Sequence, residues 1–164
     1  MAFISISITK NHPLILGKGG FGRQLADWLS AEGWGEAEFL DDSAPGCVGG
    51  LRDYADPKLL KPGRPAFVAL GDNALRVELL QKLAAAGYDT PVFISDMAAV
   101  SPSAVLEPGC VILPQAYVGA DAHLGVGCII NGGAIVDHDA VLGRGVHVAP
   151  GGIVKAGAEV EAPT

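Results

Sequence analysis

The stretch IVDHDAVLGRGVHVAPGG, from Ile135 to Gly152, decides the fold. It has neither the three-to-four spacing of an amphipathic helix nor the strict alternation of a half-buried strand. What repeats is a beat of six. Val136, Leu142 and Val148 are large aliphatics, while Ala140, Val146 and Gly152 hold the fifth place of the same frame and are small or modest. The frame extends in both directions. From Val100 the first place reads Val100, Leu106, Ile112, Val118, Leu124, Ile130, Val136, Leu142, Val148, Val154 and Val160. The fifth reads Ala104, Cys110, Ala116, Ala122, Cys128, Ala134, Ala140, Val146, Gly152 and Ala158. The second and third places are mostly Gly, Pro or polar.

Two such columns make this the hexapeptide repeat of a parallel β-helix. Each hexad supplies one short strand and one turn, and three hexads close a triangular coil. The first-place aliphatic points inward and stacks on its equivalent one coil away. The fifth place sits where the interior narrows at a corner, so only a small residue fits. Cys110 and Cys128, eighteen residues apart in that column, read as small apolar fillers that stand in for Ala.

Before the repeat the pattern is different. PLILGKGGFG reads as a buried strand running into a glycine turn, and GRQLADWLSAEG as a helix with Leu25, Trp28 and Leu29 on one face and Gly33 as its C-cap. EAEFLDD and PAFVALG read as second and third strands. NALRVELLQKLAAAG reads as a helix closed by Gly87, and PVFIS as a fourth strand. That order predicts a small parallel sheet carrying helices, a Rossmann-like α/β unit. The stretch between the second and third strands, SAPGCVGGLRDYADPKLLKPGR, has no assigned element. The domains expected are residues 1–97, a small Rossmann-like unit, and residues 98–164, the β-helix.

Composition narrows the function. The formal charge of −7 argues against a general nucleic-acid binder. No apolar run could span a bilayer, and the N-terminal MAFISISITKNHP lacks the basic start and apolar core of a signal peptide. Three cysteines without a CxxC spacing fit a reducing cytosol.

The chemistry concentrates in the opening stretch. His138, at the third place of its hexad, falls on a turn and should project outward, with Asp137 and Asp139 beside it. An imidazole titrates near neutrality, and a carboxylate can hold one tautomer and stabilise the imidazolium. The pattern fits a general base, or else a solvated turn histidine. His147 lies half a coil further on, so the two rings of one chain fall on different sides of the prism. His123 raises a zinc site of the kind found in gamma-class carbonic anhydrases; its spacing and the leading α/β unit speak against it, and it reads as an exposed last-place residue. GKGGFG, with Asp41 and Asp42 about twenty residues on, also resembles a dinucleotide fingerprint. Against a nicotinamide oxidoreductase stands the short α/β part with no substrate domain after it. Arg144 and Lys155 are outward-facing and read either as phosphate contacts or as solvated side chains.

The stretches LILGKGGFGRQLADWL, FLDD, VALGDNALR and SDMAAVSPSAVLEPGCVILPQAYVGADAHLGVGCIINGGAIVDHDAVLGRGVHVAPGG occur in an order and spacing that resemble one family. It is the group of sialic-acid O-acetyltransferases and nucleotide-4-amino-sugar N-acetyltransferases (NeuD/PglD-like). The resemblance implies a left-handed β-helix and an acetyl-CoA-dependent N-acetyltransferase. The acceptor would be the amino group of a nucleotide-activated amino sugar, in bacterial surface-glycan or glycoprotein synthesis. It implies His138 as general base, Asp139 as the acid that tunes it, and Asn131 as a sugar contact. His147 and Gly157 would lie beside the acetyl donor. Gly17, Lys18, Gly19, Asp41, Asp42, Gly71 and Asn73 would hold the nucleotide part. A cytoplasmic homotrimer with sites between prisms is implied, and no metal. Sialic-acid O-acetylation is the alternative within the class. Phe21 stands where the family often has a histidine. The family usually continues for more coils than the roughly three counted here, which leaves a truncated, non-catalytic binding or assembly protein as the alternative outside the class.

Overall fold

The computed structural model describes residues 12–163; the segment read above for a leader lies outside them up to Asn11. The described residues divide into two compact units, residues 12–71 with 78–91, and residues 72–77 with 92–163.

In the first unit, β1 (Leu14–Leu16) is the centre of a three-stranded parallel sheet, flanked by β2 (Glu38–Leu40) and β3 (Ala66–Val68). All of β1 and β3 is buried, as expected of a strand covered on both faces. Helix α1 (Gly20–Ala31) buries Gly22, Leu25 and Leu29, with Trp28 half-buried on the same face. Gly33 ends it as the sequence predicts. Its φ is +86°, its N–H donates to the Ser30 carbonyl, and the Trp34 N–H donates to that of Leu29. This is the paired hydrogen bonding of a Schellman cap. Helix α2 (Asn73–Ala86) closes in the same way: the Gly87 N–H donates to Ala84 and the Tyr88 N–H to Leu83. The unassigned stretch 43–64 forms a single 3-10 turn, Asp53–Ala55, and a bridge from Gly49 to Leu40.

The fourth strand expected in this sheet belongs elsewhere. Phe93 and Ile94 pair with Val111 and Ile112, so β4 (Phe93–Ile94) is the first strand of the repeat. The physical reason is visible in the frame: Ile94 lies six residues before Val100 and continues the first-place column.

The second unit is a parallel solenoid of twelve two-residue strands: β4, β5 (Ala99–Val100), β6 (Val105–Leu106), β7 (Val111–Ile112), β8 (Tyr117–Val118), β9 (His123–Leu124), β10 (Ile129–Ile130), β11 (Ile135–Val136), β12 (Val141–Leu142), β13 (His147–Val148), β14 (Ile153–Val154) and β15 (Glu159–Val160). They form three four-stranded sheets, β4-β7-β10-β13, β5-β8-β11-β14 and β6-β9-β12-β15. There are thus four complete rungs rather than roughly three: the eleven first-place residues from Val100 to Val160 fall one strand short of four, and β4 supplies the twelfth. Each residue pairs with the one eighteen later, as Val111 with Ile129 and Ile129 with His147. First-place and fifth-place residues from Cys110 to Val154, Gly152 excepted, fill the interior. Cys110 and Cys128 are both fully buried, and their thiols donate to the carbonyls of Gly125 and Gly143.

The repeat has a third regular column. Fourth-place residues take left-handed backbone: Gly109, Gln115, Asp121, Gly127, Gly133, Asp139, Gly145, Gly151 and Gly157 all have positive φ. Glycine dominates there because a Cβ in this conformation costs about 1–2 kcal/mol.

Candidate active site

The corner between β11 and β12 breaks the glycine preference. Asp139 sits at φ +60° where most rungs use glycine. Aspartate tolerates this conformation better than most residues, and here its side chain turns back onto its neighbour. The His138 Nδ1–H donates to Asp139 Oδ2 at 2.7 Å. That bond fixes the tautomer and leaves Nε2 as the basic nitrogen, which has no hydrogen-bond partner among the described residues. The ring is 58% exposed. Its main chain, by contrast, is held on all sides. The His138 N–H donates to Asp137 Oδ1 at 2.8 Å. The Asp139 N–H donates to Ala120 on the rung below, and the Gly157 N–H donates to the His138 carbonyl from the rung above. A Cβ added at Gly119 would lie 2.6 Å from the His138 nitrogen, so no side chain fits beneath the turn. The hydrogen bond donated to Asp139 and the charge of Asp137 raise the His138 pKa above the ordinary imidazole value.

A second constellation lies on the sheet that contains β10 and β13. Asn131 Oδ1 accepts the Gly132 N–H at 2.8 Å, which orients the amide so that Nδ2 donates to His147 Nε2 at 3.1 Å. His147 is thereby an acceptor at Nε2 and carries its proton at Nδ1. Burial, and then the charge of Arg76, lower its pKa. Arg76 itself is fully buried.

Sequence reading passed over Arg76, although the signal was present. Arg76, Leu79, Leu80 and Leu83 share one i, i+3, i+4, i+7 stripe of α2, and all four are buried. An arginine on an apolar stripe points to a built-in partner.

In the first unit, the loop Gly17–Gly19 joins β1 to α1. A Cβ at Gly17 would come within 2.6 Å of the Ala69 carbonyl oxygen, and one at Gly22 within reach of Gly17's own carbonyl carbon at 2.9 Å. These glycines allow strand, loop and helix to close on one another, as the fingerprint reading requires. Gly19 caps α1 without a side-chain bond. Asp41 accepts the Lys18 N–H on Oδ2 and the Ser43 and Ala44 N–H groups on Oδ1. Those backbone donors hold its pKa down at about 2. Lys18 Nζ donates to the carbonyls of Pro45 and Gly46, and Asp42 Oδ1 accepts the Leu51 N–H. Gly71 is exposed just after β3. Asn73 belongs with the solenoid unit, where its Oδ1 accepts from Arg76 Nη2.

The predicted residues therefore gather as His138 with Asp139, Asn131 with His147, and Lys18 with Asp41. His138 and His147 stand on different faces of the prism. His123 stands on a third, its Nε2 2.8 Å from Glu107.

The fold places the chain among left-handed β-helix acyltransferases that carry a short α/β unit in front. A family model for the PglD N-terminal domain matches residues 14–83. The acetyltransferase domain of PglB from Neisseria gonorrhoeae is 30% identical with a TM-score of 0.83, over 94% of this chain and 86% of that one. A structure of that domain holds acetyl coenzyme A. PerB from Caulobacter crescentus, solved with CoA and GDP-perosamine, is 33% identical with a TM-score of 0.76, over 85% of this chain and 69% of that one. The chain belongs to the NeuD/PglD-like family of sugar acetyltransferases. Among the described residues no helix is long and apolar enough to cross a membrane.

Proposed function

We propose that this chain transfers the acetyl group of acetyl-CoA to the amino group of a nucleotide-activated amino sugar. The observation that carries the reading is the His138–Asp139 pair, an imidazole with an open Nε2 and a tautomer fixed by a carboxylate in a glycine slot. PerB and the PglB domain, with their CoA-type ligands, supply the substrate class.

The step follows from the chemistry of the groups. The amine lone pair attacks the thioester carbonyl carbon while His138 Nε2 takes the amine proton. Asp139 and Asp137 stabilise the imidazolium that forms. The C–N bond is then complete, the C–S bond breaks, and the imidazolium returns its proton to the departing CoA sulfur. No covalent enzyme intermediate is needed; Cys110 and Cys128 are sealed in the interior. Gly157, one rung above Asp139 and open beyond its Cα, leaves room for the donor. His147 and Asn131 belong to the donor side. The uncapped start of α1 offers N–H groups to the nucleotide's phosphates. Asp42 serves the ribose or base, with Lys18 and Asp41 shaping the loop.

His138 and His147 of one chain face apart, so we assign each site to two chains of a homotrimer. Support comes from one face of the prism. Tyr117, Ile135 and Ile153 are stacked in register and 43%, 38% and 67% exposed. Such an apolar ladder, beside the His138 corner, suits burial against a second prism. Acetyl-CoA and a nucleotide sugar as co-substrates suit a cytoplasmic enzyme.

The test is thiol release from acetyl-CoA against a panel of nucleotide amino sugars, for the wild type and His138→Ala. Activity restricted to amino sugars and lost in the variant is expected. Full activity in the variant removes His138 as base, and a monomer by sedimentation contradicts the shared site.

A further inference from the structure

Among the described residues Arg76 is the bulkiest fully buried side chain, and the reaction above makes no use of it. Taking a guanidinium out of water costs several kcal/mol, so its placement needs a reason. Its Nε–H donates to the Gly127 carbonyl at 2.8 Å, and Nη2 donates to the Gly145 carbonyl at 2.7 Å and to Asn73 Oδ1 at 2.9 Å. Gly127 and Gly145 are the same corner on successive rungs, both at φ +71°. One side chain thus clamps two stacked turns. The upper turn leads directly into β13, where His147 stands two residues on. It is also seated on the first turn of α2: a Cβ at Gly145 would lie 3.0 Å from the Asn73 carbonyl oxygen and 3.1 Å from Val77 Cγ2. On its other side His147 receives the Asn131 amide.

We propose that Arg76 is a positioning residue: by clamping the Gly127 and Gly145 carbonyls it sets the turn that presents His147, as a neutral acceptor paired with Asn131, to the acyl donor. The inference rests on the reading of His147 as a donor-side residue. The charge works in the same direction as the geometry, since a buried guanidinium disfavours an imidazolium nearby. The ionisable groups that act on Arg76 in turn are Asp72 and the Cys128 and Cys110 thiols.

The test reads His147 directly. Nitrogen-15 NMR of the histidine rings in the full-length protein, assigned by loss in His147→Gln, gives its tautomer and titration midpoint. In the wild type, His147 should be protonated at Nδ1 and titrate below 6.5. In Arg76→Met the midpoint should move up, and in Arg76→Lys, which keeps the charge, it should stay low. Steady-state kinetics should show the KM for acetyl-CoA rising about tenfold in both variants, with the KM for the sugar nucleotide unchanged. A merely structural role would lower kcat through the active fraction and leave both KM values alone. If Arg76→Met does not fold, the wild type and Arg76→Lys decide. A wild-type His147 protonated at Nε2 or titrating at 6.5 or above overturns the proposal, and so does an unchanged acetyl-CoA KM in Arg76→Lys. An inactive wild type with the expected NMR behaviour would defeat the acetyltransferase reading while leaving the positioning intact.

Discussion

His138 and His147 are the same side chain placed in two opposite environments by one repeating scaffold. His138 stands at an exposed corner between two carboxylates and holds its proton more tightly than a free imidazole. His147 stands, only partly covered, at the end of the sheet that holds Phe93, Val111 and Ile129, near a buried guanidinium, and holds its proton less tightly. Their hydrogen bonds agree with this division. The first ring donates to a carboxylate through Nδ1, and the second accepts an amide at Nε2. The β-helix supplies both settings because the His138 corner faces solvent, while the sheet that carries His147 has Phe93, Val111 and Ile129 buried. Residue type alone does not assign a catalytic role; the rung and the face do.

The contrast can be broken most decisively at the corner. His138→Ala should reduce turnover by roughly 10²–10⁴-fold with little change in the melting temperature at alkaline pH, where the ring is neutral in both folded and unfolded chain and largely exposed. Next in size is Asp139→Asn. It should lower kcat by about tenfold or more and shift the acid limb of the rate profile to lower pH, since the raised pKa of His138 rests first on the Asp139 hydrogen bond. In the wild type that limb should lie above 6.5. Asp139→Gly sharpens the same point. It should lose activity to the same extent while gaining up to about 1 kcal/mol of stability in denaturant melts, because glycine removes the left-handed strain.

The two rings should also mark stability against pH with opposite signs. A folded pKa above 6.5 makes the contribution of His138 whole at low pH and lost as pH rises through that pKa. A folded pKa below 6.5 makes that of His147 whole at higher pH and lost as pH falls. Paired melts of His138→Gln and His147→Gln from pH 5 to 8 should diverge in these directions. The smallest effect belongs to the first unit. Asp41→Asn should cost about 1 kcal/mol near neutral pH, discounted for solvent screening, and the loss should fade as the wild type is acidified toward its pKa of about 2.

Much of this was legible in the sequence because the prism writes one residue type into each slot. Val136 and Ala140 announce their positions regardless of what surrounds them. PVFIS was misplaced because a short apolar segment fits a buried strand of either unit, and only the phase of Ile94 against Val100 distinguishes them. His138 and Asp139 adjoin in sequence, so their pairing could be anticipated. Asn131 and His147 are sixteen residues apart and meet only because a rung is eighteen residues long. The two carbonyls that Arg76 clamps lie 51 and 69 residues away, and no local pattern relates them to it. The left-handed fourth column was hidden by the aspartates and glutamine that share it with glycine.

Parallel rungs in strict register stand about 4.8 Å apart. The level at which the His138 imidazole is displayed is therefore quantised: it sits on the turn that follows the third strand of its sheet and can be raised or lowered only by inserting or excising eighteen-residue blocks. A scaffold of this kind acts as a ruler with fixed graduations, on which the reactive group can be reset for a longer or shorter acceptor without redesigning the corner that holds it.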